Sequence, residues 1–102
     1  MALDLYAGNE KDRIATHEEA LFLIVIEHDE NYPVLNWLWS EFYNGPRINP
    51  EKSNLLVHEL LQLYRVVEND KEVKWLAPIT VRLASFFSIA YRNNIEVIAE
   101  SD

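Results

Sequence analysis

The segment HELLQ, residues 58–62, lies one substitution away from a zinc-protease motif. In H-E-x-x-H, two histidines four residues apart on one helix face hold the metal, and the glutamate acts as a general base. Gln62 stands where the second histidine is needed, and an amide is a poor zinc ligand. Helical periodicity places His58 on a polar face with Gln62 and Arg65, so we interpret the segment as an ordinary turn of helix.

The other histidines give no stronger case for a metal. His17, His28 and His58 fall on three separate predicted elements. His17-Glu18 and His58-Glu59 could meet in space as a metal site, but surface or helix-capping roles suit these residues better. The two glycines of the whole chain also leave no phosphate-binding loop and no nucleophile elbow.

Paired carboxylates and serines do not indicate catalysis either. Glu18-Glu19 could be an acid and base pair, but these residues suit the first turn of a helix, and Asp29-Glu30 suits a solvated turn. The serines of the last predicted helix have no base nearby in the sequence. We therefore predict no catalytic, cofactor or metal site, and a protein that is not an enzyme.

The chain is strongly acidic, with 17 Asp and Glu against 9 Lys and Arg, for a formal net charge of −8. Such a charge repels nucleic acid and anionic membranes and attracts a basic partner. The longest apolar run, residues 20–26, is too short to cross a bilayer, and the N-terminus lacks the basic residues of a signal peptide. We expect a soluble, cytoplasmic protein whose partner is another protein.

The first of four predicted helices begins after Thr16. Thr16 and Glu19 have the spacing of a capping box, which favours a helix from His17 to Glu27. Residues 24–26 are β-branched and would also suit a buried strand. The sequence leaves both alternatives open for this segment, with the helix favoured.

The second predicted helix is unusually apolar. Pro33 suits its first turn, and Asn44-Gly45 is a typical stop. Apolar side chains cover well over half of its circumference between residues 34 and 43, a surface named here the apolar arc. Trp37 and Trp39 project about 200° away from each other, so both cannot face one narrow core. The helix must be central in the fold or partly covered by another molecule.

The third and fourth predicted helices are amphipathic. Asn49 caps the third, with Pro50 in its first turn, and Asn93-Asn94 ends the fourth. The predicted core stripes are Leu56, Leu60, Leu63 and Val67, then Ile79, Leu83, Phe86 and Ala90. The predicted polar faces are His58, Glu59, Gln62 and Arg65, then Arg82, Ser85, Ser88 and Arg92. We expect both arginines of the fourth helix to pair with acids of the same chain.

The two ends of the chain alternate apolar and polar residues, as β-strands do. Leu3 to Tyr6 and the tail from residue 95 could form short strands that pair with each other. No linker or repeat divides the sequence. The predicted fold is a mainly α-helical single domain over residues 1–102, a bundle of about four helices with possible short N- and C-terminal strands.

Residues 38–64 and 81–102 together resemble small bacterial immunity proteins, which protect a cell from a toxin. The resemblance lies in an acidic chain of this size with an aromatic helix, a leucine-rich middle helix and a final helix that carries Phe86-Phe87. It implies a non-enzymatic inhibitor that covers a basic toxin domain by stoichiometric binding. Immunity families share no catalytic residues, so the resemblance assigns none here.

The predicted binding surface combines aromatic and acidic residues of the first two helices. Aromatic side chains ringed by acids are typical of protein-binding surfaces. The predicted centre is Trp37, Trp39, Glu41 and Tyr43, and the predicted rim is Glu27, Asp29 and Glu30. Two other non-enzymatic hypotheses remain: a homo-oligomer, possible as a homodimer, that buries the apolar arc against its own copy, and a phage-type acidic anti-defence protein that imitates nucleic acid.

Overall fold

The computed structural model describes residues 2–101, which form four α-helices and a four-stranded antiparallel sheet. The helices are α1 (Leu21–Glu27), α2 (Pro33–Ser40), α3 (Pro50–Glu68) and α4 (Ala77–Arg92). The strands are β1 (Leu3–Ala7), β2 (Glu10–Ile14), β3 (Arg47–Ile48) and β4 (Val97–Ser101). Short 3-10 turns precede three of the helices, at Thr16–Ala20, Asp29–Asn31 and Lys74–Leu76. The four predicted helices are confirmed.

The sheet joins the two ends of the chain at its centre. Its strand order is β2-β1-β4-β3, and the β1–β4 pair places Leu5 opposite Ala99. The predicted pairing of the terminal strands is therefore confirmed. The predicted fold had only possible short terminal strands, whereas the structure has a four-stranded sheet, because β2 and β3 extend the β1–β4 pair on both sides.

The two additional strands lie at the edges, where sequence signals are weak. Gly8 adopts a φ of +60° at the first position of the two-residue β1–β2 loop, where a tight hairpin turn favours glycine. β2 has the sequence EKDRI, and only Ile14 is buried. A charged edge strand protects a sheet from pairing with other chains but shows little hydrophobic alternation.

The segment from Thr16 to Glu27 is helical, as favoured by its sequence. Its first turn is 3-10 and the rest is α1. The predicted cap was wrong by one residue: the carboxylate of Glu18, not Glu19, accepts a hydrogen bond from the backbone N–H of Ala15 at 2.9 Å. Ile26 is exposed on α1, so the β-branched run is not a buried strand.

The buried face of the sheet and the apolar sides of the helices share one hydrophobic core. Both predicted core stripes of α3 and α4 are buried, and α3 and α4 make the largest helix–helix contact. Asn49 Oδ1 caps α3 by accepting the N–H of Lys52 at 2.8 Å. Asn94 ends α4 with a φ of 53°, as its sequence predicted. Among residues 2–101, no helix has the length and apolar character needed to cross a membrane.

Glu59 is the exception on the predicted polar face of α3. It was expected beside His58 on the solvent side, but only 8% of its surface is exposed. Its carboxylate accepts hydrogen bonds from the backbone N–H groups of Val34, at 3.0 Å, and Leu35, at 2.8 Å. Glu59 therefore caps the N-terminus of α2, which has no side-chain cap of its own.

Candidate protein-binding site

The two tryptophans of the predicted binding surface lie on different sides of α2, and both are half-buried. Trp37 faces α3, where Nζ of Lys52 lies 3.6 Å from the centroid of its ring. Trp39 stacks on Phe22 of α1 with a centroid distance of 4.7 Å. Each indole is largely occupied by contacts within the chain, so the apolar arc is mostly covered by α1 and α3.

Glu41 and Tyr43 lie at the far end of α2. The carboxylate of Glu41 accepts a hydrogen bond from Asn44 Nδ2 at 2.8 Å. Tyr43 packs edge-on against Phe42 and is 55% exposed, which makes it the most exposed side chain of the predicted aromatic centre. This end of α2 offers one accessible aromatic ring.

The three predicted rim acids lie at the opposite end of the α1–α2 pair. Trp39 near the end of α2 packs on Phe22 near the start of α1, so the two helices run in opposite directions. Glu27 is the last residue of α1, and Asp29 and Glu30 follow in an exposed 3-10 turn. The fold therefore separates the predicted aromatic centre from the predicted acidic rim.

Glu27 instead contributes to a groove between α1 and the end of α3. The apolar lining residues are Ala20, Leu23, Ile24, Val66 and Val73, and the acidic ones are Glu27, Asp70 and Glu72. His28 also lines the groove, which encloses about 360 Å³. We name this surface the acidic groove. It combines exposed apolar side chains with carboxylates.

One acid of this groove, Glu27, lies at a helix end where it is locally unfavourable, and two more acids follow the end of α3. A helix C-terminus carries a partial negative charge, and cations rather than acids stabilise it. Glu27 ends α1, whose last turn has no basic residue, and Asp70 and Glu72 follow the end of α3. The basic residue in the last turn of α3, Arg65, lies in a different pocket with His58. The groove is therefore a concentrated negative site.

Two contacts hold the elements around the groove in place. Glu59 fixes the start of α2 and hence the α1–α2 pair on α3. Arg82 of α4 fixes the turn before α1: its guanidinium donates to both carboxylate oxygens of Glu18 at 3.0 Å and forms an ion pair with Asp12 at 3.0 Å. The expectation that Arg82 pairs with acids of the chain is confirmed.

Two further pockets carry less chemistry. The pocket between α3 and α4 is lined by Tyr64, Ala77, Pro78, Val81 and Arg82, and its one charged group is already paired with Asp12 and Glu18. The other is lined by His58, Leu61, Gln62 and Arg65, all on α3. Within residues 2–101, no three His, Asp or Glu side chains converge as a metal site would require.

Comparison of the chain with protein-family models, curated proteins and solved structures found no match. Several residues of the acidic groove were not predicted: Leu23, Val66, Asp70 and Glu72. Of these residues, only Leu23 could have been found from the sequence. Helical periodicity places it on the side of α1 opposite Val25, where an apolar residue is unexpected unless something covers it.

Proposed function

We propose that this protein is a non-enzymatic inhibitor that neutralises a basic protein by stoichiometric binding, acting as an immunity protein against a cognate bacterial toxin. The observation that carries the proposal is the clustering of exposed acids at the adjoining ends of α1 and α3, around exposed apolar side chains. An acid in the last turn of a helix, such as Glu27, costs about 0.3–1 kcal/mol, and a cationic partner would relieve that cost.

The net charge of −8 supports the same proposal. An acidic surface attracts a basic toxin over long distances and raises the rate of productive encounter at low salt. The apolar side chains of the acidic groove then supply buried area that charge alone does not give. Binding of this kind would block the active site or an adjacent surface of the toxin.

The homo-oligomer hypothesis loses its original motivation. It was based on the apolar arc, but Leu35, Leu38 and Phe42 are buried within the chain and both tryptophans are half-buried. The hypothesis of an acidic protein that imitates nucleic acid predicts acids spaced along one face. The acids of the groove instead surround apolar side chains, which favours a partner that is recognised by an apolar contact as well as by charge.

Reversing the charges of Asp29 and Glu30 tests whether the acids that follow α1 attract the partner. We expect the variant Asp29→Lys/Glu30→Lys to bind the partner with an association rate lowered about tenfold at low salt and a dissociation rate changed much less. The partner is first recovered by pull-down with the tagged protein from the source cell. Association is then measured by surface plasmon resonance at low and moderate salt.

The matched control is Glu10→Lys/Glu100→Lys, which makes the same change in net charge at exposed positions of β2 and β4. If both variants slow association equally, only the overall charge matters. An unchanged association rate in the Asp29→Lys/Glu30→Lys variant would contradict the hypothesis that these acids attract the partner. Recovery of only untagged copies of the protein itself, confirmed by light scattering, would replace the inhibitor proposal with a homo-oligomer.

A further inference from the structure

We propose that the acidic groove takes a short basic segment of the partner, one that presents a single apolar side chain between arginines or lysines. This inference rests on the proposed function and specifies which part of the partner is recognised. Three features of the groove support it: an exposed apolar floor, a volume suited to one large side chain, and acids that have no basic partner.

The floor of the groove is formed by apolar side chains that the fold leaves open. Leu23 is 63% exposed, more than any other large apolar side chain of residues 2–101. Val66 of α3, which lines the groove from the side opposite α1, is 44% exposed. Removal of this apolar area from water by a partner side chain stabilises the complex.

The size of the groove fits an anchor side chain with part of its flanking chain. Its volume is about 360 Å³. An enclosed apolar cavity of about 150 Å³ is enough for a benzene-sized molecule. The groove therefore has room for one large aliphatic or aromatic side chain together with the start of a neighbouring basic one.

The acids at the rim are available to a partner. No Lys or Arg within residues 2–101 forms an ion pair with Glu27, Asp70 or Glu72. One oxygen of Asp70 accepts the backbone N–H of Glu72 at 3.0 Å, which leaves its other oxygen free of that bond. Lys71 and Lys74 belong to the same segment between α3 and α4 as Asp70 and Glu72, but they do not line the groove.

Charge decides which occupant fits. A second copy of this chain also carries −8 and is repelled, as are nucleic acid and anionic lipid. Arginine and lysine side chains complement the carboxylates and the negative helix ends of α1 and α3 together. An apolar side chain between them fills the floor, so affinity needs both components.

Short synthetic peptides test this combination directly. The probe has four arginines around one leucine, and two matched peptides replace the leucine with serine or the arginines with glutamates. We expect the first peptide to bind with a dissociation constant of about 1 mM and to shift NMR amide signals of Leu23, Glu27, Val66 and Val73. The serine peptide should bind at least about tenfold more weakly, and the glutamate peptide should not bind.

A pair of leucine variants then locates the anchor. Leu23→Ser is expected to weaken binding of the leucine peptide about tenfold. Leu61→Ser should have no effect on this binding, because Leu61 is 49% exposed but lines a different pocket. Equal binding of the leucine and serine peptides, or shifts spread over the acidic surface without a maximum at the groove, would overturn the inference.

The same variants separate this inference from the proposed function. If the partner is bound and neutralised equally well by the unmodified protein and by Leu23→Ser, the groove does not recognise an apolar anchor although the inhibitor proposal stands. If the peptide binds in the groove but the protein inhibits no basic protein, the inhibitor proposal fails and the specificity of the groove remains.

Discussion

Replacing Glu59 with alanine is expected to lower the free energy of unfolding by about 3 kcal/mol. The substitution leaves the buried N–H group of Leu35 and the partly buried N–H group of Val34 without their acceptor, and the loss of a buried partner costs about 1–3 kcal/mol. For a domain of this size, melting should occur roughly 12–24 °C lower. Urea unfolding followed by circular dichroism measures the change, with the slope against urea expected to stay constant.

Glu59→Gln separates the hydrogen bonds from the charge. Burial raises the pKa of Glu59, and the hydrogen bonds from Leu35 and Val34 lower it by less, so the charged form is not fully compensated. Glutamine avoids that desolvation cost but has one acceptor oxygen where the carboxylate has two. We expect a smaller loss, about 1 kcal/mol.

Glu68→Ala is the matched control on the same helix. Glu68 is exposed at the end of α3, where an acid opposes the helix dipole, so its removal should be neutral or slightly stabilising. A loss below about 1 kcal/mol for Glu59→Ala, or an equal loss for Glu68→Ala, would show that the two hydrogen bonds do not hold α2 in place.

The helices were predictable because their signals are local. Asn49 with Pro50 marks the start of α3, and the buried stripes of α3 and α4 repeat at helical spacing. Asn94 takes the left-handed conformation that ends α4, as its residue type suggests. Each of these features depends on residues within one or two turns of one another.

The sheet was only partly predictable because its pairing is non-local. β1 and β4 alternate visibly, but β2 is an edge strand whose charged side chains hide the pattern, and β3 has two residues. Glu59 was misplaced for a related reason. Helical periodicity puts it next to a polar face, and only the arrival of α2, more than twenty residues earlier in the chain, buries it.

The residues of the acidic groove could be grouped only in part from the sequence, for the same physical reason. Glu27 of the acidic groove lies within three residues of Asp29 and Glu30, so these acids could be selected together from the sequence. Val66, Asp70 and Glu72 reach the same place only because α3 ends beside α1. The separation of Trp39 and Tyr43 from these acids likewise follows from the opposite directions of α1 and α2.

Replacing Arg82 with alanine is expected to cost about 2–3 kcal/mol. Its guanidinium holds both oxygens of Glu18, pairs with Asp12 and donates to the carbonyl oxygen of Arg13 at 2.7 Å. The side chain of Glu18 is only 8% exposed, so the loss leaves a nearly buried charge without its cation. Arg82 itself is 43% exposed, and solvent screening makes the cost smaller than for a fully buried pair.

The contribution of this pair should depend on pH. Hydrogen bonds from Arg82 hold the pKa of Glu18 below its ordinary value of 4.5, although burial acts in the opposite direction. The unfolded chain therefore binds more protons than the folded protein between the folded pKa and about 4.5. The stability that the pair provides is fully present above this window and is lost as the pH falls through it.

A double-mutant cycle of Arg82→Ala and Glu18→Gln measures the pair itself. We expect a coupling free energy of about 1–2 kcal/mol at pH 7, because each single variant already removes the same ion pair. The coupling should fade as the pH falls below 4.5 and through the lowered pKa of Glu18, because Glu18 then becomes protonated in the unmodified protein as well. Additive losses at pH 7, or a coupling that persists undiminished in acid, would mean that Arg82 does not hold the Glu18 carboxylate in its charged form.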